Sequence, residues 1–199
     1  MYFGRLLAGF VGVIVFLILL VLIFGGHGKK TPVGPQLNPL PDYASTDATV
    51  SLTTDGIVNA DELHRSIRIT ISNTQMTLDV LQGYNPRVIQ SKSFQNNQEA
   101  YTVFLKSINN YGFLAKLKGN KYPADERGVC PLGFRYILDL NQDGEDLSRT
   151  WSSSCGSKIG TSGSGITSIR QLFENQIPDY DQLVSRVDLS ATTASNNSL

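Results

Sequence analysis

The sequence predicts an α+β fold: an N-terminal transmembrane helix, then an antiparallel sheet of about five strands with two amphipathic helices on one face. Three observations carry this prediction. Ile67, Ile69 and Ile71 alternate with Arg68 and Thr70, a period of two that marks a half-buried strand. Tyr101, Phe104, Leu105 and Ile108 fall at i, i+3, i+4 and i+7, the spacing of one helix face. The stretch LLAGFVGVIVFLILLVLIF, Leu6 to Phe24, runs for 19 residues without a charge. At the rise of an α-helix it is about 28 Å long, close to the roughly 30 Å hydrocarbon core of a bilayer.

Residues 1–5 are a short tail ahead of the span 6–24. A cleaved signal core usually has about 7–15 apolar residues, so the longer run reads as an uncleaved anchor. Arg5 and the α-amino group on one side nearly balance Lys29 and Lys30 on the other, which leaves orientation almost tied by the positive-inside rule. The two cysteines, Cys130 and Cys155, break the tie, because an exported domain uses such a pair as a disulfide. The C-terminal domain is therefore expected outside the cytoplasm. Residues 25–46 are rich in Gly and Pro and read as a stalk. The domain proper is expected over 47–187, and the small polar residues 188–199 read as a disordered tail.

Within the domain, TVSLTT reads as a first strand. SIRITISNTQMTLDVLQG then forms a hairpin about Asn73-Thr74. Its apolar faces coincide when Ile71 opposes Met76, Ile69 opposes Leu78 and Ile67 opposes Val80. RVIQSKSF follows as a further strand. Asn96 or Asn97 caps the helix that carries Tyr101, and Asn110 with Gly112 ends it. After a loop comes a second hairpin around DLNQDGEDL, then the Gly/Ser-rich GSKIGTSGSG, read as a flexible connection. Ile166, Ile169, Leu172, Phe173 and Ile177 mark the second helix, stopped by Pro178.

DLNQDGEDL is the strongest chemical motif. Asp139, Asn141, Asp143 and Gly144 match the first half of an EF-hand loop, but Leu147 and Thr150 stand where its later oxygen ligands belong. Its flanks alternate as strands. The three residues Asp139, Asn141 and Asp143 are thus a weak calcium candidate, and the motif reads foremost as a hairpin turn. A four-residue loop over Asn141–Gly144 sets Leu138 against Leu147, Tyr136 against Arg149 and Phe134 against Trp151. Continued outward, the same register brings Cys130 to Cys155. That bond closes a 26-residue loop and is worth roughly 3 kcal/mol in the chain-entropy model.

Other chemistry is sparse. Lys+Arg and Asp+Glu both number 17, which excludes an electrostatic reader of nucleic acid. Lys106, Lys116, Lys118 and Lys121 read as a solvated helix end and loop. His64, in NADELHRS, reads as part of an exposed charged segment leading into a strand. As the alternative it is the base of a hydrolase, although no G-x-S-x-G elbow accompanies it. GTSGSG lacks the Lys-Ser/Thr ending of a phosphate loop. No cofactor and no catalytic residue are expected.

The segments GVCPLGFRYILDL, TWSSSCG and RQLFENQIPDY resemble single-span exported proteins of small, reduced-genome bacteria; this resemblance implies export but no particular activity. In architecture, paired strands, a third strand, a helix, FRYILDL with its return strand and a final helix are more distantly similar to emfourin-type protein inhibitors of metalloproteases. The turn reads Ser72-Asn73-Thr74-Gln75 where those proteins carry Gly-Gly. That resemblance implies inhibition of a secreted protease. The residues themselves point first to a non-enzymatic binding module at the cell envelope, held to the membrane by Leu6 to Phe24 and recognising a protein or envelope partner.

Overall fold

The computed structural model describes residues 37–191. The predicted span 6–24, stalk residues 25–36 and tail residues 192–199 lie outside the described residues. Among the described residues no helix is long and apolar enough to cross a membrane.

Strands β1 (Thr49–Asp55), β2 (Arg65–Ile71), β3 (Gln75–Gln82), β4 (Arg87–Gln95), β5 (Arg135–Gln142), β6 (Glu145–Ser153) and β7 (Gly156–Gly160) form one sheet. Its order is β4-β3-β2-β1-β5-β6-β7, with every neighbouring pair antiparallel. Helices α1 (Gln98–Asn110), α2 (Ile166–Glu174) and α3 (Tyr180–Val184) complete the α+β fold. The sheet has seven strands, more than the five expected from sequence. β1 is the central strand, flanked by β2 and β5.

The first hairpin has the expected register: Ile71 opposes Met76, Ile69 opposes Leu78 and Ile67 opposes Val80. Any slip by one residue would turn these side chains to the polar face, so burial alone selects the pairing. Val50, Leu52, Leu138 and Leu140 extend the same apolar face across β1 and β5. α1 lays Tyr101, Phe104, Leu105 and Ile108 on this face, and α2 adds Ile169 and Phe173. Asn97 caps α1 by accepting a hydrogen bond from the Ala100 N–H. Phe104 and Phe173 meet edge to face at 5.0 Å, which joins the two helices.

The second hairpin departs from expectation. Its turn is the two-residue Asp143-Gly144, both at positive φ (53° and 80°), not a four-residue loop. Two left-handed residues match the right-handed twist of the flanking strands better than a wider loop does. Gln142 then opposes Glu145, and a bulge between Leu140 and Asn141 sets Leu138 opposite Thr150 and Ile137 opposite Trp151. Leu138 does not meet Leu147, nor Tyr136 Arg149, nor Phe134 Trp151. Arg149 and Trp151 instead share the face of Asp139 and Ile137, away from the helices. Cys130 and Cys155 are nonetheless bonded, with Cα atoms 5.9 Å apart. The bond joins two turns rather than extending the ladder: Cys130 sits at φ 54° in the turn that precedes β5, and Cys155 lies between β6 and β7.

Three boundaries also move. The 3-10 helix Leu40–Ser45, within the expected stalk, buries Leu40, Tyr43 and Ala44 in the main core. Residues Gly156–Gly160 of the expected flexible connection are β7. Leu189, within the expected tail, packs on the core edge and accepts a hydrogen bond from the Ile57 N–H.

Candidate functional site

Alternation on the strands gives the sheet a second face, opposite the helices, and this face is polar. β1 contributes Thr49, Ser51, Thr53 and Asp55. Beside them on β2 stand Ser66, Arg68 and Thr70, and on β5 Arg135, Ile137, Asp139 and Asn141. Part of this face forms the floor of a cleft of about 410 Å³. Tyr84 and Pro86, from the β3–β4 turn, line one side; Glu126 and Arg127, from the loop before β5, line the other.

Both walls are fixed by side-chain bonds. On the first side the Tyr84 ring stacks on His64 at 4.2 Å, with planes 16° apart. The Tyr84 hydroxyl accepts from the Asn59 N–H (3.0 Å) and donates to the Asn59 carbonyl (2.9 Å). Its own N–H donates to Asp61 Oδ1 at 2.7 Å. On the second side Arg149 grips the buried Glu126 with both terminal nitrogens, at 2.8 and 2.9 Å. Trp151 donates its indole N–H to the Pro123 carbonyl and is covered by the same loop.

At one end of the floor lies a charged cluster. His64 is buried, contrary to the exposed position expected from its charged neighbours. Its Nε2 is 2.8 Å from Asp55 Oδ1 and its Nδ1 is 3.1 Å from the Ile57 carbonyl. Asp55 Oδ2 also accepts from Arg135 Nε (2.8 Å) and from a terminal nitrogen (2.5 Å), which donates in turn to the Gly56 carbonyl. Both His64 nitrogens are therefore engaged, and neither is directed at a serine hydroxyl. A general base needs a nitrogen within reach of the proton it removes. The neighbouring acids are engaged elsewhere: Asp61 holds the Tyr84 N–H, and Glu62 uses its backbone carbonyl to accept from Arg65 and Gln82.

The weak calcium candidates are spread along the second hairpin. Asp139 and Asn141 lie on the cleft floor, and Asp143 is in the turn. The neighbouring Asp47 carboxylate raises the proton affinity of the Asp143 carboxyl. Among the described residues no group of three or more His, Cys, Asp or Glu side chains is placed to hold a metal ion. Asp139 is the more unusual group. Burial pushes its carboxyl up from 3.8 to about 6, against the pull of Arg149 at 3.5 Å, while Asp146 and Glu126 push the same way as burial. A carboxyl perturbed in this way within a cleft is a marker of functional sites.

No family model matches the chain, and no curated protein matches it. The functional reading rests on the cleft.

Sequence reasoning placed Arg68 and Thr70 on the polar face but did not assemble the cleft. The signal was present in the alternate hydroxyls Thr49, Ser51 and Thr53 of the strand that proves central. Tyr84, Glu126 and Arg149 carried no such signal, because each takes its place through a partner about 20 or more residues away in the chain.

Proposed function

We propose that the chain is a membrane-anchored, extracytoplasmic, non-enzymatic binding module whose site is the cleft on the polar sheet face. The cleft carries this reading. Its volume is within the roughly 300–1,000 Å³ of small-ligand sites. Its walls are held by stacking, by a bidentate ion pair and by backbone hydrogen bonds, so little ordering is left to be done on binding. The uncharged run Leu6 to Phe24 supports the anchor, and the Cys130–Cys155 bond supports an oxidising compartment. The engaged nitrogens of His64 count against the hydrolase alternative.

The test uses the full-length chain in intact cells, with the photo-crosslinking residue p-benzoylphenylalanine at Thr53 on the cleft floor or at Val103 on the exposed side of α1. A discrete crosslinked envelope species from Thr53 and none from Val103 is expected. Equal labelling from both positions, or none from Thr53, refutes the site. Protease added outside spheroplasts is expected to remove the domain; full protection refutes the orientation.

A further inference from the structure

The chemistry of the cleft also limits what it recognises. We propose that it binds a neutral glycan, with a sugar ring packed against Tyr84 and its hydroxyls bonded by the side chains of the sheet floor. This rests on the cleft being the binding site, as proposed above.

Charge excludes the first class of competitors. Three guanidiniums line the cleft, and each already faces a carboxylate: Arg68 faces Asp79 at 3.2 Å, Arg127 faces Asp125 at 2.5 Å and Arg149 faces Glu126 at 2.8 Å. A phosphate or sulfate would have to compete with these carboxylates for every guanidinium of the lining. Asp55, Asp139 and Asp146 make a polyanion still less suitable.

Backbone topology argues against an extended peptide. The floor strands β2, β1 and β5 are interior strands, each paired on both sides. Their N–H and C=O groups are consumed by the ladders, so a peptide laid across them finds no main-chain partners of the kind that strand addition requires. Nor does the floor offer side-chain pockets of the apolar kind, since Ile137 and Leu81 are only 5% and 3% exposed.

What the cleft does present is a set of short side-chain hydroxyls, amides and carboxylates on a rigid sheet, with one aromatic ring beside them. Thr49, Thr53 and Thr70 are half-buried, with hydroxyls that both donate and accept, and Asn141 and Asp139 add acceptors. Tyr84 is 41% exposed although its hydroxyl, its N–H and its contact with His64 are all fixed. A sugar has the complementary make-up: closely spaced hydroxyls around its edge, and aliphatic C–H faces that pack on an aromatic ring. Each polar pair is worth little net, which makes a multivalent hydroxylated ligand the one such a surface can hold.

The test is an amide NMR titration of the full-length chain in a non-glycosidic zwitterionic detergent. The probes are neutral tetrasaccharides of glucose, galactose, mannose and N-acetylglucosamine, beside an uncharged capped hexapeptide and inorganic phosphate. At least one tetrasaccharide is expected to shift Thr53, Arg68 and Asp139 saturably. Y84A is expected to weaken that binding about tenfold or more, while Y84F, which keeps the ring, loses much less. T53V is expected to weaken it without a change in melting temperature, which a purely structural role would not produce. Cleft shifts with the peptide or phosphate but with no sugar overturn the glycan class and leave the binding module standing. Sugar-induced shifts confined to other surfaces overturn the glycan assignment at this cleft. No cleft shifts with any probe, together with no crosslink from Thr53, overturn both.

Discussion

The Asp55 carboxylate is held by the buried guanidinium of Arg135, with Nε at 2.8 Å and a terminal nitrogen at 2.5 Å from the same oxygen. Arg135 is 2% exposed and Asp55 16% exposed. The other oxygen of Asp55 takes His64, and Arg135 reaches on to the Gly56 and Cys130 carbonyls. One carboxylate thus ties β1, β5, the loop ahead of β2 and the disulfide turn together. Removing it strands a buried cation. D55A is therefore expected to cost about 3–5 kcal/mol in urea unfolding. D125A, which breaks the exposed Arg127–Asp125 pair, is expected to leave the midpoint almost unchanged. Similar losses in both variants would show that the buried cluster has no special weight.

The Cys130–Cys155 bond spans a sequence separation of 25. Its reduction is expected to lower stability by roughly 3 kcal/mol, with the first effect at the turn ahead of β5. The unfolded, non-reduced chain should not react with a thiol reagent. The double variant C130S/C155S should match the reduced protein in unfolding midpoint; a midpoint equal to that of the oxidised protein would dispose of the claim.

Gly160 ends β7 at φ 133°, a conformation open to glycine and hardly to other residues. A Cβ there would overlap the Trp151 carbonyl oxygen. G160A is expected to detach β7 from β6, read as faster amide exchange at Ser152 and Thr161 and a loss of about 1–3 kcal/mol. Unchanged exchange at both amides would mean that the β6–β7 pairing does not depend on this glycine.

Much of the fold was legible in sequence, and the failures share a physical origin. The register of β2 and β3 could be read because only one face of that hairpin is apolar. On β6 the pattern misleads, because both faces are covered. Trp151 is buried beneath the loop that carries Tyr122 and Pro123, while Thr150 is buried towards the core. Alternation then no longer tells inside from outside. The register that predicts the disulfide is one the strands do not adopt; the presence of just two cysteines, both in the folded part, is the sounder argument. His64 was misread because NADELHRS is polar, whereas its partner Asp55 stands nine residues earlier at the end of β1. The cleft, finally, is a product of loops meeting over a sheet, and local pattern does not encode that.

Asp139 provides a prediction about pH. In the folded chain burial pushes its carboxyl from 3.8 to about 6, so the folded state holds this proton more tightly than the unfolded state does. Below about pH 4 the group is protonated in both states and carries no penalty. Between about pH 4 and 6 the unfolded chain ionises first, so stability falls as pH rises through this window and the full cost is present above it. At about 1.4 kcal/mol per unit, the cost approaches 3 kcal/mol. D139N removes the charge and leaves Arg149 its bidentate pair with Glu126. The stability of D139N relative to the native chain is therefore expected to rise by about 2–3 kcal/mol between pH 4 and pH 7, measured by urea unfolding at each pH. The sign is opposite to that of an ordinary salt-bridged carboxylate, whose removal hurts more as pH rises. A difference that stays flat or falls across this window would mean that Arg149 outweighs burial at Asp139, and that the carboxyl on the cleft floor is an ordinary ion-pair partner.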